Sequence, residues 1–595
     1  MSGPTASVAA WRDAGLFEAS DVQIASALAR LCGDDRPEIV LAAALAARAP
    51  RLGDSCVDLS VRPTTADDAA LSWPALDAWL DGLAESPLVV GVGAPLVLRG
   101  SQVALERYHT YEVDLAEQLG ALASAQVVPI EIDLALLDGL LAGDGSAHQR
   151  AAVERALKRG LTVLAGGPGT GKTTTVAALV ATLVQSLGSL RIALAAPTGK
   201  AAARLGEAFR AAATRLPADL AAKLATTPTS TIHRLLGVVG DSSSRFRHGP
   251  DHPLPFDLVI VDEASMVSLP LMAKLVGALA PQARLVVVGD PGQLASVDAG
   301  SVLADIVGPV AGHTSVESPT PGRHALAGCI SVLTHSRRFP PGSAIDRFAR
   351  AIGSGDAAAA RAVLEASSDH STAAPAAALD WYADTEQAIG AVRSRVEPVV
   401  VEVAAQAARG AVAEALDGID RIRVLCAHRL GSMGVAGWNE RIESWLAAAG
   451  RPASGWYPGR PVMVTANDYR LGLFNGDVGV VVLVDGRTLV AFPSVDGPRL
   501  VAPSRLESVE TVHATTIHKS QGSEFDEVVV VLPPVGSRLA SRELLYTAVT
   551  RARHRVSVVG AAEALDEVVA RRTLRASGLR EMLWGPVVAP APSVD

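Results

Sequence analysis

The sequence predicts an α/β chain built on two parallel sheets, each covered by helices on both faces. A small antiparallel barrel is expected inside the second α/β unit, and a mainly helical region ahead of the first. Strand-length runs apolar on both faces are the first sign: LTVLAGG, RIALAAPT, DLVIVDEAS and RLVVVGDPGQL in one stretch, RIRVLCAHR, DEVVVVLPP and RVSVVG in another. Each ends in small, polar or acidic residues, and helical stretches lie between most of them, the pattern of a parallel sheet buried on both sides. The second sign is a change of texture from residue 456 to about 510, where Asn475-Gly476, Asp485-Gly486 and Asp496-Gly497 punctuate short strands. Such turns join antiparallel neighbours. The third is length: 595 residues exceed what one hydrophobic core organises.

In chain order, residues 1–140 read as Ala/Leu-rich helices with one apolar stretch, SPLVVGVGAPLVLRG, that could form a strand pair. They carry no chemical motif, so a partner-docking region is expected. LLAGDGSAHQRAAVERAL reads as a loop entering a helix, with Asp144 or Ser146 as its cap. The first α/β unit spans 141–335. The second spans 336–455 and 511–580, interrupted by the 456–510 barrel, and 581–595 form a tail. Residues 240–256 and 308–328, rich in Gly, Pro, Ser and His, read as loops.

Composition excludes some functions. A net charge of −9 with 4% aromatic residues does not suit a protein that coats nucleic acid with a basic surface, so any such site is a local groove. Cys32, Cys56, Cys329 and Cys426 are widely spaced and form no CxxC pair, which argues against a zinc site or disulfide framework and for a reducing cytoplasm. No apolar run is long enough to span a membrane. The N-terminus lacks a basic region followed by an apolar core, so secretion is not expected.

GGPGTGKTTT is the strongest chemical signal. Gly166, Gly167, Pro168, Gly169, Thr170, Gly171, Lys172, Thr173 and Thr174 contain the GxxxxGK[ST] pattern, between a strand at 161–165 and a helix with an apolar face at Val176, Leu179, Val180 and Leu183. Glycines let backbone N–H groups curl around phosphate oxygens, and the helix N-terminus adds a favourable dipole. Lys172 would reach the β- and γ-phosphates of ATP, and Thr173 would ligate Mg²⁺. A purely structural Gly-rich turn is the bland alternative, and the strand–loop–helix setting argues against it. LVIVDEAS supplies the second half: Asp262 would hold Mg²⁺ through water and Glu263 would orient the attacking water. An acidic pair after a strand often only opens a helix, so its weight comes from the P-loop.

With these residues in place, the chain resembles superfamily 1 DNA helicases. DEAS and VVVGDPGQLASVDAGSVLADI are similar to motifs II and III, with Gln293 at the γ-phosphate-sensing position. AAPTGKAAARL resembles motif Ia, TIHRLLG motif Ib, LTHSRRF motif IV, VHATTIHKSQGSEFDEVVVV motif V and LLYTAVTRARHR motif VI. Gln149 matches the adenine-recognising glutamine. Within the superfamily these stretches, with GRPVMVTANDYRLGLFNGDVG, are most similar to the RecD family, the alpha subunits of exonuclease V (RecBCD). The resemblance covers about residues 145–560, and QLASV, with Ala295 where stand-alone relatives tend to have proline, points the same way.

The resemblance implies two RecA-like P-loop NTPase domains, an SH3-like inserted barrel, and an ATP- and Mg²⁺-dependent 5′→3′ helicase. Its implied partners are single-stranded DNA, double-strand DNA ends, and RecB and RecC subunits. It assigns catalysis to Lys172, Asp262, Glu263, Gln293, Arg338 and Arg551, with Arg337 standing where motif IV usually carries tyrosine. DNA contacts fall on Thr198, Lys200, Thr231, His233, Thr516 and His518; for any one threonine or histidine alone, capping or a local turn is the plainer reading. Of the three arginines in LLYTAVTRARHR, Arg551 is the expected arginine finger, with Tyr546 and Thr550 positioning its segment. Arg553 is a helper bonding the helix or DNA, and Arg555 a solvated residue ahead of the last strand. No acidic nuclease constellation is evident. A stand-alone helicase of this kind, a DNA-dependent ATPase clamp without unwinding, and a P-loop ATPase acting on protein or RNA stay open.

Overall fold

The structure is a computed structural model describing residues 7–63, 71–128, 130, 133–141, 143, 146–214, 216–240, 245–312, 325–367, 378–468, 470–494, 497–573 and 575–585. Asp144, Asp496, parts of both expected loops and residues 586–595 of the expected tail lie outside them.

Six parallel strands form the first sheet, in the order Thr229–Thr231, Ile192–Ala196, Leu258–Val261, Arg284–Gly289, Leu161–Gly166, Ile330–Leu333. The second has five, in the order Ala378–Tyr382, Ala552–Val559, Phe525–Val531, Ile422–Cys426, Ala514–Thr516, again all parallel. The central strands are the apolar runs read from sequence, buried on both faces because helices cover both sides. The outer strands Thr229–Thr231, Ile330–Leu333, Ala378–Tyr382 and Ala514–Thr516 are short or interrupted by polar residues and gave no such signal.

Within the second unit sits a five-stranded antiparallel sheet, ordered Arg499–Val501, Arg487–Phe492, Val478–Val484, Pro461–Val464, Val509–Thr511. Its hydrogen-bonded ladder does not close between the two end strands among the described residues. One face packs Val480, Val482 and Ala491 against Val403, Ala407 and Ile419 of the neighbouring helices. The other gathers Val462, Val464, Val481, Val490, Phe492 and Val501.

The N-terminal region is helical, with a three-stranded antiparallel sheet of Val57–Asp58, Gln102–Leu105 and Leu96–Arg99. SPLVVGVGAPLVLRG does not fold into its own strand pair. Val89 and Val90 N–H both close on the Ser86 carbonyl at 2.9 Å, so the first half turns, and only Leu96–Arg99 is extended. Helix Glu106–Ser124 lays Leu115, Leu119 and Leu122 into the first sheet's core. Residues 581–584, expected in the tail, belong instead to helix Leu579–Trp584, whose Leu579 and Leu583 enter that same core.

Beneath that helix lies Asp305, buried on helix Val302–Val307 with Oδ2 unpartnered among the described residues. Burial, with Glu112 nearby, pushes its carboxyl up to about 7 against an ordinary 3.8. A raised folded-state value means stability that is full below about pH 4 and lost as the pH rises through about 7. Asp305→Asn, which mimics the protonated form, is expected to gain on the order of 2–4 kcal/mol over the parent at pH 8 and nothing at pH 4. Urea midpoints of both chains across that range check this; parallel curves contradict it.

Candidate functional site

The P-loop joins the buried strand Leu161–Gly166 to helix Lys172–Leu187. Lys172 Nζ donates to the Gly166 and Gly167 carbonyls at 2.7 and 2.9 Å, and Thr170 Oγ1 donates to Gly167 O at 2.8 Å. Gly169 has φ +73°, and a Cβ there would lie 2.5 Å from Arg338 Cβ, so positive φ and close approach both call for glycine. Thr173 and Thr174 follow on the first helical turn, partly exposed. Gln149 is buried on helix Ser146–Leu157, with Nε2 on the Thr170 and Gly171 carbonyls at 3.2 and 3.4 Å. Its Oε1 has no partner among the described residues, an acceptor left beside the loop.

Asp262 and Glu263 lie just past strand Leu258–Val261. Glu263 is one of two non-glycine residues with positive φ among the described residues, at +51°, and its N–H donates to Asp262 Oδ1 at 2.8 Å. That left-handed conformation is strained for a residue that carries a side chain. Burial and the adjacent Glu263 push Asp262 up to about 6, opposed by Lys172 and Arg204. The Asp262 carboxylate and the Thr173 hydroxyl offer oxygen donors only, chemistry that suits a hard divalent cation. Asp290 accepts from Gly292 N–H at 2.9 Å and from Gln293 Nε2 at 3.1 Å. Burial raises it as well, and Lys172 is the main group opposing that.

The two sheets meet over this loop. Arg551, buried, donates from Nη2 to Gln293 Oε1 at 2.8 Å, joining residues 258 apart in the chain. Its Nε and Nη1 reach the Thr547 and Ser523 carbonyls at 3.2 and 3.4 Å. Burial works against its charge, and Glu263 is the leading group supporting it. Motif IV lies along the P-loop: Ser336 Oγ donates to Pro168 O at 2.9 Å and Arg337 N–H to Gly169 O at 2.8 Å. Arg338 donates from Nη1 to Thr550 O at 2.9 Å and pairs with Glu524. The structure thus brings Lys172, Asp262, Glu263, Gln293, Arg338 and Arg551 to one cleft.

Glu524 and Arg204 in this cleft were not read from sequence, and Tyr546 was read only as positioning the segment of Arg551. Glu524 also receives Arg204 at 2.5 Å and Arg553 at 3.5 Å. Burial alone would raise its carboxyl, but Arg204 and Arg338 outweigh it and hold it at about 2. The Tyr546 hydroxyl bonds Asp290 and stands beside Gly167. Their partners lie hundreds of residues away, so only QGSEF and LLYTAV as motif neighbours could have flagged them. Arg553, expected to bond the helix or DNA, pairs with Glu524 and Asp526. Arg555 corrects the expectation of a solvated residue: it sits inside strand Ala552–Val559, paired with buried Asp380 at 3.0 Å.

The candidate DNA residues fall at strand ends, yet their groups are locally engaged. Thr198 and Thr231 cap helices Gly199–Ala213 and Ile232–Leu236, each accepting a backbone N–H at 3.2 Å. Thr516 Oγ1 accepts from Lys519 N–H at 3.3 Å. Burial lowers Lys200, with Asp420 the leading charge opposing that. His233 packs its ring 5.9 Å from Phe246, and burial lowers it against the pull of Asp298. His518 is lowered by burial and by Arg575. Thr198 and the motif V loop approach across the cleft, a Cβ on Gly522 lying 3.9 Å from Thr198 Oγ1. Phe474 of the insert rests on Gly199.

Three family models match the chain. An AAA domain covers residues 149–299, a UvrD-like helicase C-terminal domain 511–559, and the N-terminal domain of RecBCD enzyme subunit RecD 13–103. RecBCD enzyme subunit RecD of Mycolicibacterium smegmatis is 45% identical over 580 residues, 96% of this chain and 98% of its own. The protein of that name from Mycobacterium tuberculosis H37Rv is 42% identical over 584 residues, 97% and 96% of the two chains. The ATP-dependent RecD2 DNA helicase of Deinococcus radiodurans is 33% identical over 448 residues, 74% of this chain but 52% of its own.

Proposed function

Since the chain belongs to the RecD family of RecBCD enzyme subunits, we propose that it moves 5′→3′ on single-stranded DNA from double-strand ends, together with RecB and RecC subunits. It is an ATP-dependent DNA helicase subunit of that class. The observation that carries the mechanism is the Arg551–Gln293 bond, which joins the halves of one ATP site across the cleft.

In this reading 141–335 is one motor domain, and 336–455 with 511–580 the other. The insert is SH3-like, supported by its strand order, in which the fifth strand pairs with the first. ATP lies on the P-loop, its base toward the spare Gln149 acceptor. Lys172 exchanges two carbonyls for the β- and γ-phosphates. Thr173, and Asp262 through water, would hold Mg²⁺, which would supply charge to neutralise the phosphates. Glu263 orients the attacking water, while Gln293, Arg338 and Arg551 converge on the γ-phosphate. Loss of that phosphate removes what the two halves share, so the cleft loosens and the grip on DNA changes. Thr198, Lys200, Thr231, His233, Thr516 and His518 line the strand's path; capping hydroxyls at helix N-termini suit phosphate contacts made and released in turn. Residues 1–140 dock the partner subunits. The compartment in this reading is the cytoplasm, where four free cysteines stay reduced.

Strand displacement tests this reading, using the chain assembled with its own RecB and RecC. Duplexes with a 5′ tail lose their strand through this subunit, and Lys172→Ala removes that component. Displacement that depends on Lys172 only from a 3′ tail overturns the direction; ATP hydrolysis without displacement favours a clamp.

A further inference from the structure

We infer that Arg575 is a positioning residue for ATP hydrolysis: anchored on the N-terminal region, it clamps the motif III loop so that Gln293 meets Arg551. The inference rests on the reading of Gln293 and Arg551 as partners at the γ-phosphate.

The loop from 290 to 300 is gripped at both ends by different parts of the molecule. At its start, Gln293 holds Arg551, Leu294 N–H donates to Thr547 Oγ1 at 2.9 Å, and Gln521 Nε2 donates to Leu294 O at 3.0 Å. At its end, Arg575 donates from Nη2 to Ser296 O at 2.6 Å, and from Nη1 to Asp298 O and Gly300 O at 2.9 and 3.1 Å. Three carbonyls on one guanidinium fix the loop's path, because a planar fork allows one arrangement of acceptors. Gly300 N–H adds a bond to Gly53 O at 2.9 Å. Only Ala295 separates Leu294, held by the far unit, from Ser296, held by Arg575.

Arg575 is itself held in place. It leaves the second unit after helix Ala562–Ala570 and precedes helix Leu579–Trp584, packed in the first unit's core. Ala576 N–H donates to Asp54 Oδ1 at 2.9 Å, and Ala576 O accepts from Ser55 N–H at 3.0 Å. Buried Glu112 then accepts from Ser55, Ser577 and Gly578. The guanidinium lies on Gly53: a Cβ there would come within 2.6 Å of Arg575 Cζ. The clamp therefore runs from the N-terminal region through one side chain to the loop that carries Gln293.

The test is steady-state ATP hydrolysis by the full chain with single-stranded DNA. Arg575→Ala is expected to lower kcat about tenfold or more with KM for ATP within about twofold, since the P-loop is untouched. Arg575→Lys recovers part of the loss, and millimolar guanidinium added to Arg575→Ala recovers more. In a Gln293→Ala background, Arg575→Ala costs nothing further, because residues acting as one unit are non-additive. Gly53→Ala, which displaces the guanidinium, reproduces the kcat loss. Gly33→Ala, equally left-handed at φ +72° but facing open space, does not. An unchanged kcat in Arg575→Ala, or an equal loss with and without Gln293, overturns the inference. If Arg551→Ala itself leaves turnover intact, the failure lies instead in the reading of the ATP site.

Discussion

Replacing Lys172 by alanine abolishes DNA-stimulated ATP hydrolysis by the full chain. Lys172 is the cation of the P-loop, and its ammonium now satisfies the Gly166 and Gly167 carbonyls. Phosphate oxygens carry full negative charge and outcompete those carbonyls, so nucleotide draws the side chain outward. Lys172 is also the leading group opposing the raised carboxyl of Asp290, and acts on Asp262 with Arg204. Its removal leaves two acidic groups facing phosphate with only Arg204 and Arg551 to oppose their charge. A loss of at least about 10²–10³ in kcat is expected from one such electrostatic contact, before the effect on binding is added. Phosphate release in saturating DNA measures it, and retained turnover contradicts the P-loop assignment.

The second large effect belongs to Arg551→Ala. Arginines delivered across an NTPase cleft contribute about 10³–10⁵ in rate. Arg551 meets the requirement of arriving from the other sheet, buried, and bonded to the residue expected to sense the γ-phosphate. Gln149, the P-loop backbone and Lys172, expected to hold the base and phosphates, all belong to the first unit, so ATP affinity falls little. Equilibrium binding of a non-hydrolysable ATP analogue, set beside kcat, separates the two. A parallel loss of both points to Arg551 as a structural tie between the halves.

The P-loop and DEAS were legible because their geometry is local. Consecutive residues after a buried strand place backbone N–H groups and a carboxylate pair with no help from distant chain. The central strands were legible for a related reason: burial on both faces leaves a continuous apolar run. What escaped was set by tertiary contacts. Glu524 reads as one more surface acid until Arg204 and Arg338 are brought to it. Arg555 reads as solvated until strand Ala378–Tyr382 sets Asp380 beside it, and that strand's own polar residue hid it from a search for apolar runs. Arg575 carried no signal at all, since its acceptors are backbone carbonyls that any sequence supplies. The candidate DNA residues stand between these cases. Their motifs were readable, but the capping bonds of Thr198 and Thr231 show that the bland role and the proposed one are carried by the same hydroxyls.

That two halves complete one ATP site only as hydrolysis proceeds is tested most directly by a transition-state mimic. Affinities for ADP with aluminium fluoride and for a non-hydrolysable ATP analogue are measured on the parent chain and on Arg551→Ala, both with single-stranded DNA. Binding energy directed at the transition state makes the mimic bind at least about 10²-fold more tightly than the ground-state analogue in the parent. Arg551→Ala is predicted to lose that advantage while keeping the affinity for the analogue. An unchanged preference for the mimic in Arg551→Ala would contradict a catalytic cleft shared between the two sheets.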